Sequence, residues 1–109
     1  AEYDLVSLGI TNQRESCLIW NKITGKPYNN AILWNDTRTE EICNGLVKFN
    51  GGDFEAYKNI TGLPISTYFS AFKFKFMLEN VNDLKHVLSN EKDYNDLCFG
   101  TIDSWLIYN

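Results

Sequence analysis

Leu5-Val6-Ser7-Leu8-Gly9-Ile10-Thr11-Asn12-Gln13-Arg14-Glu15-Ser16-Cys17-Leu18-Ile19-Trp20 is the stretch whose reading decides the fold. Two apolar runs, 5–10 and 17–20, flank a polar interval. A short apolar run bounded by polar residues reads as a buried strand. Residues 5–10 are therefore expected to form a strand closed by Thr11-Asn12-Gln13, and 17–20 a second. Ala31-Ile32-Leu33-Trp34 is a third candidate, and Thr24-Gly25-Lys26-Pro27 is turn punctuation between the last two. An antiparallel hairpin follows from that spacing.

Helical signals lie further on. Thr37-Arg38-Thr39-Glu40 has the form of a capping box, in which a hydroxyl holds a free amide and the glutamate reaches back. Ile42, Leu46 and Val47 recur behind it at helical spacing, and Gly51-Gly52 stops that run. Residues 53–59 fit a short helix stopped near Gly62 and Pro64. Ser66 or Thr67 is expected to cap a longer one, with Phe69, Phe72 and Phe76 on its buried stripe and Lys73 and Lys75 toward solvent. Asn82 or Asp83 opens a further helix carrying Leu84, Val87 and Leu88. Leu97-Cys98-Phe99 reads as a strand, and Gly100-Thr101 as the turn into a final helix. Strands and helices alternate, so the class is α/β.

With 109 residues the chain suits one modest domain, and 44% hydrophobic against 22% charged residues is ordinary for a protein that buries a core. A net charge of -4 and a pI near 4.8 argue against a nucleic-acid or anionic-membrane surface, which calls for a basic face. No apolar run approaches the roughly 20 residues that span a bilayer, and the start, Ala1-Glu2-Tyr3-Asp4, lacks the pattern of a signal peptide. Cys17, Cys43 and Cys98 are odd in number and widely spaced beside the single His86, so neither a disulfide framework nor a zinc site is expected. Reduced, buried thiols in a cytoplasmic protein are the plain reading. Both ends of the chain fall in or next to apolar runs, so they read as cut from something longer.

Arg14-Glu15 is the most suggestive pair. Opposite charges after a strand can simply be a solvated loop. The sharper reading is a polyol reader: arginine brings a rigid fork of donors and a carboxylate brings acceptors, which together satisfy adjacent hydroxyl groups. Consecutive strand residues point to opposite faces, so the backbone must leave strand geometry here if both are to reach one ligand. Trp20, Trp34 and Trp105 are core or wall candidates, and polar Asn35-Asp36-Thr37-Arg38 after Trp34 marks that one as standing at an exposed mouth. Tyr68 is the aromatic beside the phenylalanine stripe that carries a hydroxyl. His86 beside Lys85 reads as a solvated surface histidine. No Gly-x-x-x-x-Gly-Lys-Ser/Thr loop and no Gly-x-Ser-x-Gly elbow is present.

Gly9-Ile10-Thr11-Asn12-Gln13-Arg14-Glu15, Thr24-Gly25-Lys26-Pro27, Asn30-Ala31-Ile32, Trp34 and Asp36-Thr37-Arg38-Thr39 resemble the glycerol kinases of the FGGY carbohydrate kinase family in order and spacing. Thr61-Gly62-Leu63-Pro64-Ile65, Tyr68-Phe69-Ser70, Lys73 and the run 99–107 continue the likeness along nearly the whole chain. Other members of the superfamily lack the Thr-Asn-Gln-Arg-Glu string. Phe76 stands where the family usually has tryptophan, and Ser16-Cys17 where it commonly has paired threonines.

The resemblance implies part of an actin-like, ribonuclease-H-like domain, a mixed sheet with flanking helices, with residues 1–109 a portion of the N-terminal, substrate-binding domain. It implies phosphorylation of glycerol to glycerol 3-phosphate by ATP with magnesium. By position, Arg14 and Glu15 bind glycerol hydroxyls, Trp34 walls the carbon backbone and Tyr68 adds a hydroxyl contact. It also implies that the phosphate-gripping Asp-x-Gly-Thr-Thr-Ser turn precedes Ala1, and that the base aspartate and adenine-binding domain follow Asn109. ATP and magnesium are thus bound outside this chain, which carries no catalytic or metal-ligating residue and is expected to be inactive alone. Homo-oligomers are compatible with the same picture. Two other readings stand beside it: a stand-alone binding or regulatory module derived from a kinase, and a kinase of a longer sugar alcohol. The chain by itself is expected to fold weakly, because its sheet edges lack neighbours.

Overall fold

The computed structural model describes residues 3–90 and 94–109; Ala1 and Glu2 of the amino-terminal reading lie outside them. The first strand, β1 (Cys17–Asn21), is followed by α1 (Glu40–Phe49), α2 (Lys58–Thr61), α3 (Ser70–Asn80) and α4 (Asn82–Leu88). A 3-10 turn at Tyr94–Asp96 leads into β2 (Leu97–Thr101) and α5 (Ile102–Tyr108). β1 and β2 pair antiparallel, from Cys17 opposite Thr101 to Asn21 opposite Leu97. On the other edge of β1 the chain returns through two isolated bridges, Trp20 to Pro27 and Cys17 to Ile32. Tyr28 N donates to Ile19 O at 3.0 Å, and Cys17 and Ile32 exchange bonds of 3.0 and 2.9 Å. The expected hairpin is therefore present, with its second arm reduced to bridges rather than a strand over 31–34.

Alternation along β1 sends its side chains to two layers. Cys17 and Ile19 join Ile32, Met77 and Leu84 in the core, with Phe74 and Val81 packed against it, so α3 and α4 cover one face. Trp20 goes to the other face, its ring 5.6 Å from that of Tyr108 on α5. Gly100 allows this packing: a Cβ there would lie 2.8 Å from Ser104 Cβ and 3.3 Å from the Trp20 ring. Trp105 Nε1 donates to Gly25 O at 2.9 Å and the Tyr108 hydroxyl to Lys22 O, so α5 is bolted onto the first turn. The α/β expectation holds; of the mixed sheet, the described residues show the antiparallel part. No helix among them is long and apolar enough to cross a membrane.

Several local expectations are corrected. Residues 5–10 are not a buried strand: Leu5, Val6 and Leu8 are 98%, 91% and 92% exposed, without regular structure. A strand needs a hydrogen-bonding neighbour, and none of the described residues lies beside this run. The capping box does not form. Thr39 is the N-cap of α1 without a side-chain bond, and its buried hydroxyl has no partner among the described residues. Asp36 instead takes up the local donors, accepting from Arg38 N at 2.9 Å and gripping the Arg38 guanidinium at 2.9 and 2.7 Å. Gly51-Gly52 ends α1 as expected, both with positive φ (68° and 92°), and Gly52 N bonds back to Val47 O at 2.9 Å. The short helix expected over 53–59 begins only at Lys58.

α3 starts at Ser70, later than a Ser66 or Thr67 cap would place it, with Phe69 as the capping residue. Its buried positions are Lys73 and Met77 rather than the Phe69, Phe72 and Phe76 stripe. Lys73 is 0% exposed, which overturns its assignment to solvent. Apolar residues surround this helix almost completely, so periodicity alone could not choose which face docks.

The radius of gyration is 17.0 Å, against about 13 Å for a compact domain of this length. A two-stranded sheet with exposed apolar residues on both termini leaves little cooperative core. The 109-residue chain is accordingly expected to unfold gradually in scanning calorimetry. A sharp endotherm at high temperature would contradict this.

Candidate functional site

The polar interval between 5–10 and β1 is where the backbone breaks. Arg14 and Glu15 form a turn, and Glu15 has φ 65°, the one positive value at a non-glycine residue among the described residues. Such a conformation costs on the order of 1 kcal/mol or more and persists only when surrounding contacts fix it. The fixing contacts are visible. Ser16 N donates to Gln13 O at 3.2 Å, closing the turn. The buried Ser16 hydroxyl accepts from Trp34 N at 3.0 Å and points to Gln13 Oε1 at 3.4 Å. Glu15 Oε2 accepts from both Ser70 N (2.7 Å) and Ser70 Oγ (2.6 Å), across 55 residues of sequence. The departure from strand geometry required for Arg14 and Glu15 to act together is therefore built in.

Asn12, Gln13, Arg14, Trp34 and Tyr68 line one open hollow of about 260 Å³. Three of the four residues singled out in the sequence thus share it. Glu15, the fourth, stands next to Arg14 in the chain but is not in the lining; its carboxylate is turned to the start of α3. Trp34 is 45% exposed and meets Tyr68 edge to face, with ring centroids 6.3 Å apart. Tyr68 in turn packs edge-on against Phe69 at 5.3 Å. The arrangement offers two aromatic walls, the guanidinium donors of Arg14 and the side-chain amides of Asn12 and Gln13.

Lys73 lies behind these walls. Its Nζ donates to Tyr68 O and sits 5.9 Å from the centroid of the Tyr68 ring, within cation–π range. Burial lowers its pKa from the usual lysine value, while negative charge at Glu15 and Asp36 is among the influences pulling it back up. The Cys17 thiol is pushed up to about 11, chiefly by burial, with Lys73 and Ser70 opposing. Sequence reading missed Asn12, Gln13, Ser16 and Ser70 as parts of this site. Ser70 carried a signal only through the Tyr68-Phe69-Ser70 string, and Lys73 was misassigned because a lysine is ordinarily a surface residue.

A larger groove of about 420 Å³, lined mainly by Ile19, Phe74, Leu78, Leu97 and Phe99, has few polar groups to orient a ligand; the charges at its edge, Lys75 and Glu79, pair with each other at 2.5 Å. Among the described residues no three of His, Cys, Asp and Glu gather closely enough to hold a metal ion. Cys17, Cys43 and Cys98 are all free.

Thiolate is the nucleophile in alkylation. At pH 7.4 a thiol with a pKa near 11 is ionised in only about one molecule in several thousand. Cys17 is therefore expected to resist iodoacetamide in the folded protein and to label once denaturant is added, as read by peptide mass spectrometry. Rapid native labelling at Cys17 would show that its burial is wrong.

Residues 1–109 match the family described as "FGGY family of carbohydrate kinases, N-terminal domain". The chain is 48% identical over 106 residues to a glycerol kinase of Mycolicibacterium vanbaalenii, covering 97% of this chain and 20% of that protein. It is 46% identical over 105 residues to the glycerol kinase of Arabidopsis thaliana, covering 96% and 19%. The structure resembles the crystal structure of Plasmodium falciparum glycerol kinase with ADP, with a TM-score of 0.76 and 41% identity over 93% of this chain and 19% of that one. The chain spans about a fifth of the length of the curated relatives it matches. Its α/β architecture is a portion of the actin-like fold of that structural relative. With the match running the full length of the sequence, the chain belongs to the FGGY family of carbohydrate kinases.

Proposed function

We propose that residues 1–109 are part of the substrate-binding N-terminal domain of a glycerol kinase, which phosphorylates glycerol to glycerol 3-phosphate with ATP. The observation that carries this reading is the gathering of Arg14, Trp34 and Tyr68 around one hollow, with Glu15 fixed beside it. A small polyol needs donors and acceptors for its oxygens and an apolar plate for its carbons. Arg14 donates to hydroxyl oxygens, Glu15 accepts a hydroxyl hydrogen, Trp34 covers the carbon chain and the Tyr68 phenol closes the other side. The names of the relatives, glycerol kinases from bacteria and a plant, point to the same substrate.

Phosphoryl transfer is chiefly positioning and charge stabilisation, and it needs a phosphate cradle, a metal and a base in register with the acceptor. The role of this chain is the acceptor's seat. Holding the reacting hydroxyl in one orientation converts an encounter into a poised complex, and that is what Arg14, Glu15 and the aromatic walls contribute. ATP and magnesium are assigned to parts of the complete protein outside these residues, so the chain alone turns over no ATP. A cytoplasmic location belongs to the same reading, which the three free cysteines support.

Arg14→Ala in the complete protein tests the assignment. A site built to hydrogen-bond a hydroxyl loses several kcal/mol when the pairing fails, so kcat/KM for glycerol is expected to fall about 100-fold or more. Parental kinetics in that variant would remove Arg14 from the site. In the same assay glycerol is expected to outcompete longer polyols; preference for a sugar alcohol would move the reading to that substrate.

A further inference from the structure

Glu15 is the site residue whose geometry is most constrained. Its Oε2 is doubly held, by Ser70 N at 2.7 Å and Ser70 Oγ at 2.6 Å, while Oε1 accepts no hydrogen bond among the described residues. The backbone beneath it is locked in the left-handed region at φ 65°. A free glutamate has three rotatable side-chain bonds and a neighbouring guanidinium, Arg14, with which it could pair. Either motion would shift the carboxylate from its place beside the hollow. Two donors on one oxygen prevent both, and they do so without a formal positive charge that would neutralise the carboxylate.

The anchor itself is well seated. Ser70 is the first residue of α3, two positions after Tyr68, whose carbonyl is held by the fully buried Lys73. The start of α3 therefore fixes an aromatic wall of the hollow and the carboxylate beside it as one unit. Ser70 donates twice to one oxygen and lines no part of the hollow, so its action is on Glu15 rather than on a ligand.

We infer that Ser70 is a positioning residue of the polyol site, whose amide and hydroxyl pin the Glu15 carboxylate, and with it the Arg14-Glu15 turn, in one place beside the hollow. This rests on the glycerol reading above. Hydrogen bonds to charged groups are the stronger ones, and loss of the hydroxyl leaves the Ser70 amide still bonded.

Steady-state kinetics of the complete protein test it, with glycerol and ATP varied in turn. Ser70→Ala is expected to raise the KM for glycerol about tenfold, with kcat and the KM for ATP changed by less than about twofold. Ser70→Thr, which keeps the hydroxyl, is expected to bring the glycerol KM back to within about twofold of the parent. A parental glycerol KM in Ser70→Ala, alongside a raised one in Arg14→Ala, would overturn the inference and leave the polyol site standing. Equal rises in both KM values, with earlier thermal unfolding and no rescue by threonine, would also overturn it, as the mark of a merely structural serine. Parental values in both Arg14→Ala and Ser70→Ala would remove the polyol reading itself, and the inference with it.

Discussion

The bond between Glu15 and Ser70 is the contact on which the site depends. It ties the loop entering β1 to the start of α3, two segments 55 residues apart. The loop 11–16 is otherwise held by its own turn, by Ser16 and by Asn12, whose Oδ1 accepts from Asp103 N at 3.4 Å. The contact also relieves two local problems together. Glu15 sits in a backbone conformation that disfavours a side chain, and the N-cap of α3, Phe69, offers no side-chain cap. The carboxylate supplies that helix with an acceptor for its first amide, and the helix supplies the reason for Glu15 to remain strained.

Lys73 belongs to the same logic. A buried ammonium is costly unless its charge and donors are satisfied. Here it meets the Tyr68 carbonyl and the face of the Tyr68 ring, and lies within the influence of Glu15 and Asp36. Replacing it by a hydrocarbon would fill the space but leave that carbonyl without its donor. Positive charge inside the helix–sheet layer therefore serves the wall of the hollow rather than the stability of the core.

How much of this was legible in the sequence depended on the range of the interaction. β1, β2 and α5 were readable because their apolar runs and the Gly100-Thr101 turn are local signals. The Gly51-Gly52 stop was readable for the same reason. Residues 5–10 misled because an apolar run specifies willingness to be buried, not the presence of a neighbour to pair with. α3 misled because Phe69, Ala71, Phe72, Phe74, Phe76, Met77 and Leu78 leave no clear polar face, so only tertiary packing could choose Lys73 and Met77. Arg14, Trp34 and Tyr68 could be nominated one by one from their chemistry, but their meeting depends on a hairpin and a helix start far apart in sequence. Ser70 carried no signal beyond the Tyr68-Phe69-Ser70 string, because its partner Glu15 is a residue of a different segment.

Size bears on what such a hollow selects. Pockets for drug-sized ligands run from about 300 to 1,000 Å³, and this one, at about 260 Å³, lies below that range. The edge-to-face contact of Trp34 and Tyr68 at 6.3 Å leaves no parallel slot between the rings for a sugar to stack. The charged groups are the exposed Arg14 guanidinium in the lining and, beside it, the Glu15 carboxylate bonded twice to Ser70. On the proposed glycerol reading, Arg14 is the donor in the lining and Glu15 an acceptor held beside it by Ser70. A short polyol can meet both demands at once by rotation about its own bonds. On the same reading a longer one reaches that pair only by leaving part of its chain outside the walls.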